Sequence, residues 1–251
     1  MDRLLPTEHP VSTVADDAEL ARLYDFPPDL DRAWVKVNFI CSVDGAVSLG
    51  GRSGGLSDAN DKKIFLLGRA LADVIMVGSH TALIERYKGV QPHEVPADLR
   101  ADRGLAPVPP IAVVTRRCSV EPNSDLITKA IAQTIVYTTS SAPRERTDAL
   151  VEAGADVVVA GEDDVDLAAV LADMSGRGLR RVCCEGGPQL FGSLIAGDLV
   201  DELDLSIAPL LVGGDAGRIA AGHMPPGPTR LRLASMLHGD NQLMLRYLRE
   251  A

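Results

Sequence analysis

Residues 182–195 read VCCEGGPQLFGSLI: two adjacent cysteines, one acid, a glycine pair and a proline ahead of an apolar run. Three chemistries could use such a string: a thiol site, a metal site, or a turn that cradles a phosphate. Spacing argues against the first two. The four cysteines, Cys41, Cys118, Cys183 and Cys184, form no CxxC pair and no zinc pattern. On a strand, Cys183 and Cys184 point to opposite faces, so they cannot chelate together, and as small apolar residues they suit a core. The turn remains. LRRVCCE has a strand's pattern, and Pro188 fits a first helical position, where its missing N–H costs nothing. Gly186 and Gly187 let the backbone approach a ligand closely, while the helix start offers free N–H groups and a positive dipole end. A tight turn between strand and helix that needs positive φ would ask for the same glycines, and the string is neither GxGxxG nor a Walker A sequence.

Other polar residues lie where elements begin or end. In SVDGA, Asp44 either faces a ligand or caps its own turn. Asp58 is an N-cap candidate, and Asp61 sits in the first turn that follows. Helical spacing puts Asp61 on one stripe with Ile64, Phe65, Gly68 and Leu71. An acid at the base of an apolar stripe can hydrogen-bond the amidine-like edge of a heterocycle, or it can serve the helix terminus electrostatically. Thr81, after the strand-ending Gly78, either caps a helix or binds phosphate. Thr115, Arg116 and Arg117 end another strand, where an arginine can pair with a 2′-phosphate or remain a solvated surface charge.

These residues require a scaffold of alternating strands and helices. Strands are predicted at WVKVNFICS, DVIMVG, PIAVVT, TIVYTT, ADVVVA, LRRVCCE, DELDLSIAP, RLRLASML and NQLMLRYL, and helices over 58–72, 143–153, 165–176 and 188–197. DVIMVG and ADVVVA are near-continuous apolar runs, as in a parallel sheet covered on both faces. HGDN joins the last two strands as a hairpin-like turn, so the C-terminal edge should be antiparallel. Two loops stand out: GAVSLGGRSGGLS (45–57), too Gly-rich for packed structure, and the Pro-rich 86–110, read as functional or mobile. Residues 1–32 form an N-terminal extension with one helical patch at DDAELARLY, and 33–251 form a single domain. At 251 residues, 46% hydrophobic and 24% charged, the chain can bury a sizeable core. A net charge of −10 argues against a nucleic-acid or anionic-membrane surface. No apolar stretch approaches a membrane span of ~18 residues, and the start lacks a signal-peptide pattern, which points to the cytoplasm.

Taken in order, SVDGA, then Asp61 and RALADVIMVG with Thr81, then EGGPQLFGSLI and LVDELDLSIAPLLVGG, the chain resembles the reductase domain of bacterial riboflavin biosynthesis. That domain is usually the C-terminal half of a bifunctional deaminase–reductase; this chain resembles a stand-alone member without the deaminase half. The resemblance runs from about Trp34 to the C-terminus. It implies a dihydrofolate-reductase-like α/β/α fold with a mostly parallel sheet, NADPH as hydride donor, a homodimer, and 5-amino-6-(5-phosphoribosylamino)uracil reductase-like activity. It assigns Gly78 and Thr81 to the cofactor, Thr115 and Arg116 to its adenosine end, and Gly186, Gly187, Pro188, Gln189 and Leu190 to its pyrophosphate. Ile40 and Cys41 would line the nicotinamide pocket, Glu185 would lie close to both ligands, and Asn38, Asp44 and Asp61 would face the substrate, Asp61 as the catalytic acid. No metal is implied. One departure is plain: where the family carries an Asp-Asp-Pro segment and an arginine for the substrate phosphate, this chain has TALIERYKGVQPH, with only Arg86 or Lys88 as substitutes. A dihydrofolate or pterin reductase is the alternative, and a non-catalytic NADPH-binding module a further one.

Overall fold

The computed structural model describes residues 2–5, 12–13, 16–225 and 227–250. Its N-terminal elements are β1 (Asp2–Leu5), β2 (Ser12–Thr13) and α1 (Asp17–Leu23), followed by β3 (Trp34–Ser42), α2 (Ala59–Leu71), β4 (Val74–Gly78) and α3 (Ser79–Ile84). Next come α4 (Ala97–Ala101), β5 (Ile111–Val114), α5 (Asp125–Thr128), β6 (Ile135–Thr138), α6 (Arg144–Glu152) and β7 (Asp156–Val159). The chain ends with α7 (Leu167–Gly176), β8 (Arg181–Cys184), α8 (Pro188–Ala196), β9 (Glu202–Ala208), β10 (Leu231–Gly239) and β11 (Gln242–Arg249).

The eleven strands among the described residues join one sheet in the order β2-β1-β10-β11-β9-β3-β8-β4-β5-β6-β7. The strands from β9 through β3, β8, β4, β5 and β6 to β7 run parallel, and β11 then reverses against β9. Asp240 and Asn241, both at positive φ, make the two-residue turn between β10 and β11, the mirror-type turn that matches strand twist. The hairpin is not the outer edge, because β1 pairs with β10 and β2 with β1. The N-terminal segment thus enters the sheet, and Leu20, Tyr24 and Phe26 pack with Ile64 and Leu71 of α2.

The strand interiors explain the layering. Val74, Ile75, Met76 and Val77 of β4 are all buried, Val74 and Met76 beneath α7 and α8, Ile75 and Val77 beneath α3, α5 and α6. β7 departs from its apolar sequence: it is only partly buried and Val159 is exposed, because it closes the sheet with a neighbour on one side only. Cys183 and Cys184 do face opposite ways, Cys183 towards α2 and Cys184 into the cluster under α8. Both are buried free thiols, as are Cys41 and Cys118.

Both loops are more ordered than their composition suggests. Residues 86–110 contain a 3₁₀ turn at Pro92–Glu94 and α4, and they insert Val90, Val95, Leu105 and Val108 into the core. Arg100 of α4 is fully buried; its Nη1 donates to the carbonyls of Arg69, Ala70 and Ala72 at 3.2, 3.0 and 2.9 Å, closing the C-terminal end of α2. The glycine loop holds a 3₁₀ turn at Ser53–Gly55, and the Ser53 amide and hydroxyl donate to Glu85 at 2.9 and 3.0 Å.

Candidate active site

β3, β4 and β8 are neighbours in the parallel sheet, so their C-terminal ends open side by side, where ligands bind in α/β sheets. β8 ends in the glycine pair. Gly186 takes φ +78, and a Cβ there would stand 2.5 Å from the Phe39 ring. A Cβ on Gly187 would lie 2.1 Å from Thr81 Oγ1, and the Gly78 amide donates to the Gly186 carbonyl at 2.7 Å. The bend is therefore wedged between Phe39 and the start of α3, with no room for side chains. Gly187 is the N-cap of α8 and Pro188 its first residue; no side chain among the described residues caps this end, which leaves the first-turn amides without a side-chain acceptor.

A cavity of about 500 Å³ opens beside this bend. Asn38 and Ile40 of β3 line it, with the glycine loop, the Asp61–Phe65 face of α2, Thr81 of α3, and Glu185, Gly187 and Pro188. Asp58 caps α2 by accepting from the Asn60 and Asp61 amides, both at 2.8 Å, which turns Asp61 towards the cavity. Asp61 is buried, and Ser57 donates to it at 2.5 Å. Burial raises its pKa, outweighing the hydroxyls of Ser57 and Ser206, which favour the carboxylate. The result is an acid with raised proton affinity and no cationic partner among the described residues.

The remaining expected residues divide. Glu185 reaches the cavity, but both its oxygens are engaged: Arg69 grips it bidentately at 2.7 and 2.8 Å, and the Tyr87 hydroxyl donates at 2.6 Å. Burial opposes the Arg69 charge, yet Glu185 keeps that guanidinium above its ordinary value. Asp44 stands outside the cavity lining. It accepts from Ser42 and from the Val212 and Gly213 amides, clasping the segment after β9, and these bonds hold its pKa down at about 2. Cys41 also lies outside that lining, which takes Asn38, Phe39 and Ile40 from β3 and stops one residue short of it. Thr115 and Arg116 line a separate depression of about 630 Å³ with Ser79, Arg117, Ser119, Ser141 and Asp163; Thr115 is hydrogen-bonded to Ser119, and Ser119 donates to Ser79. Neither Arg86 nor Lys88 lines the main cavity; Arg86 borders a smaller hollow of about 250 Å³. The nitrogen-bearing side chains of Lys62 and His80 at the main cavity and the Arg69–Tyr87 clamp were not expected, although Arg69 continues the Asp61–Phe65 spacing by one more turn. Among the described residues there is no cluster fit to hold a metal, and no helix is long and apolar enough to cross a membrane.

The chain is similar to several known proteins. The 2,5-diamino-6-ribosylamino-4(3H)-pyrimidinone 5′-phosphate reductase of Archaeoglobus fulgidus is 35% identical over 184 residues, covering 73% of this chain and 83% of that protein. Its namesake in Methanothermobacter thermautotrophicus is 34% identical over 187 residues, covering 74% and 82%. Among solved structures, a pyrimidine reductase-like protein from Corynebacterium diphtheriae superposes with a TM-score of 0.78 at 24% identity over 87% of this chain and 92% of that one. The riboflavin biosynthesis reductase of Saccharomyces cerevisiae gives 0.64 at 18% identity over 90% and 93%, and these likenesses show the shared fold. The RibD C-terminal domain profile matches residues 33–245, and the chain belongs to that family of reductase domains.

Proposed function

We propose that the protein reduces a ribosylaminopyrimidine 5′-phosphate with NADPH, in the manner named for its relatives. The observation that carries this reading is Asp61, a buried acid with raised proton affinity beside a glycine bend that leaves first-turn helix amides without a side-chain acceptor. The bend suits a diphosphate: Gly186 and Gly187 leave no side chain in the way, and the Gln189 and Leu190 amides supply donors where the helix dipole is positive. Gly78 and Thr81 would support it from the other side, and Thr115, Arg116 and Arg117 would receive the adenosine end, the arginines suiting a 2′-phosphate. When bound, the dinucleotide supplies the hydride.

The chain's own residues do the rest. Asn38, Ile40 and Phe65 form the walls that position the heterocycle, and Asp61 hydrogen-bonds it and favours its protonated, more electrophilic form. Glu185, clamped by Arg69 and Tyr87, acts as a rigid wall that holds the glycine bend in place. Ser53, tied to Glu85, fixes the glycine loop over the opening, where it keeps water out. Lys62 and His80 take the substrate phosphate in place of the arginine that the family carries elsewhere.

A dihydropterin is the second reading, because Arg86 and Lys88 stand outside the cavity while Asp61 needs no phosphate on its partner. A spectrophotometric assay of NADPH oxidation decides between them. We expect turnover with the ribosylaminopyrimidine phosphate to exceed that with dihydrofolate; the reverse order selects the pterin. Tight NADPH binding without oxidation by either compound would leave only a non-catalytic module.

A further inference from the structure

The loop that joins β3 to α2 is fastened twice beside the cavity, at Ser53 and at Ser57, and both residues line it. Ser53 directs its amide and its hydroxyl onto one oxygen of Glu85, at 2.9 and 3.0 Å. Ser57 donates its hydroxyl to Asp61 Oδ2 at 2.5 Å. Between the two points the chain is pinned. The Leu56 amide donates to the Ser53 carbonyl at 2.9 Å, which closes the 3₁₀ turn, and the Leu56 side chain is buried in a cluster with Ile40 and Ala208. The slack lies upstream, where Gly50 and Gly51 take positive φ with open space around them. A displacement of Ser53 is therefore passed on to Ser57 rather than absorbed.

The Ser57 bond is not a helix cap. Asp58 fills that role by accepting from the Asn60 and Asp61 amides, and the Ser57 hydroxyl goes to the Asp61 side chain instead. Ser57 is exposed where Asp61 is buried, so its hydroxyl meets the acid from the solvent side. The other end of the segment is tied to the glycine bend. Glu85 follows Thr81 by one helical turn, its amide donating to the Thr81 carbonyl at 2.9 Å. Thr81 is the α3 residue that meets Gly187 in the bend. Helical spacing sets Thr81 and Glu85 on one face, and both line the cavity.

We propose that Ser57 is a positioning residue for Asp61 and that Glu85 holds it in place, so that the segment from Ser53 to Ser57 is a strap between α3 and the acid. The proposal rests on the reading of Asp61 as the acid of the reduction. Other groups reach Asp61 from the neighbouring elements. Asp58, at the cap of the same helix, repels its carboxylate, and Lys62 lines the same cavity, as do Glu85, Glu94 and Glu185. From β9 the Ser206 hydroxyl favours the carboxylate. Asp204 follows on the same face of that strand, its pKa pushed up to about 8 by burial and then by the charge of Glu202. The buried Tyr24 hydroxyl, raised in pKa by burial first and then by Asp204, also feels Asp61.

The Ser57 bond matters at one moment of the reaction. When Asp61 protonates the heterocycle, its O–H bond breaks and an N–H bond forms. The carbon of that C=N bond accepts the hydride, so the heterocycle is reduced and the dinucleotide oxidised by two electrons. Asp61 is left as a buried carboxylate. The Ser57 hydroxyl already points at one of its oxygens, so the new charge meets a donor without rearrangement. A donor favours the carboxylate over the acid, and Ser57 thereby offsets part of the burial that raises the Asp61 pKa. Because the strap is anchored on α3, the donor keeps its place while that helix keeps its own.

Titration of Asp61 itself is the test, and it needs no substrate. In protein labelled with ¹³C at the aspartate carboxyls, the NMR resonance lost in Asp61→Asn reports that group. Ser57→Ala should move its titration to higher pH, and Ser57→Thr, which keeps the hydroxyl, should return it to the wild-type position. Glu85→Ala should move it the same way as Ser57→Ala. Glu85→Gln removes the same charge but keeps an acceptor for both Ser53 donors, and should restore the wild-type titration. Ser57→Ala and Glu85→Ala combined should shift it no further than Ser57→Ala alone, because both act through one bond. With NADPH and the ribosylaminopyrimidine phosphate, each alanine variant should lower kcat on the order of tenfold and leave the NADPH Kd within about twofold. An Asp61 titration unmoved in Ser57→Ala overturns the role of Ser57. A Glu85 that acts through its charge alone would move the titration to lower pH in the alanine and glutamine variants alike, and that result overturns the strap, as does an additive double variant. A wild type that turns over neither the pyrimidine nor the pterin defeats the reductase reading, whereas the titrations report on the strap in either case.

Discussion

Asp61 and Asp44 show how neighbours assign different tasks to the same side chain. Asp61 is desolvated and met only by hydroxyls, so it holds its proton more firmly than an ordinary carboxylate. Asp44 accepts from a hydroxyl and two backbone amides, so it stays ionised and works as a clasp. Replacing Asp61 by Asn keeps the shape of the group but removes its exchangeable acid proton. We expect Asp61→Asn to lower kcat on the order of 10²- to 10⁴-fold and to leave the NADPH Kd within about twofold. Stopped-flow turnover and titration calorimetry on the same preparation check this, and unchanged turnover would remove Asp61 from the mechanism. Asp61 was legible because Asp58 announces the helix start and the spacing to Ile64, Phe65 and Gly68 announces its buried face. Arg69 lies on that face too, but an arginine among apolar positions gives no hint of its partner. Glu185 lies 116 residues from Arg69 and 98 from Tyr87 along the chain, and only the fold joins all three.

Two helix starts meet at the glycine bend, and this contact belongs to elements rather than to single residues. α3 brings Thr81 and α8 brings Gly187, and a Cβ on Gly187 would stand 2.1 Å from Thr81 Oγ1 and 3.4 Å from Thr81 Cβ. Gly187→Ala should therefore push the two helix starts apart and weaken NADPH binding by about tenfold or more. Removing the hydroxyl and methyl in Thr81→Ala leaves room for the new carbon. The double variant should thus recover stability lost by Gly187→Ala, giving a coupling of about 0.5–3 kcal/mol in a thermal double-mutant cycle. Strict additivity would show that the two starts do not press on each other. The bend itself was readable from Glu185-Gly-Gly-Pro188, and a helix start was readable after Gly78, whereas α4 was not. α4 lies in a Pro-rich stretch whose apolar residues are too sparse for a helical period, and it is held by Arg100 reaching the carbonyls that end α2.

At the scale of the whole molecule, the buried acids couple folding to pH. Asp204 has a folded pKa near 8 against an ordinary 3.8, so the folded protein binds a proton that the unfolded chain releases between those values. Its favourable contribution is complete below 3.8 and is lost as pH rises through 8. Relative to the wild type, Asp204→Asn should therefore gain in Tm as the pH is raised across this window, and thermal melts at its two ends measure the difference. A constant difference would mean that Asp204 titrates alike in both states. Glu202 runs the other way: Lys36 and Arg246 outweigh its burial and lower its pKa, so its contribution is lost on acidification.

The sequence by itself determined the local matters: where the main strands and the longer helices run, which turn carries the glycines, which acid begins a helix, and that Cys183 and Cys184 part company. Each follows from periodicity or backbone stereochemistry within a few residues. Only the tertiary structure decided which charges meet. Sheet order places β9 beside β3, and so sets Asp204 against Lys36, Glu202 and Arg246 beneath the cavity. It also decided that Glu185 answers to Arg69 and Tyr87, and that residues near the N-terminus complete the sheet. Proton affinity and ion pairing depend on distance and desolvation through space, and neither is written in the spacing of residues along a chain.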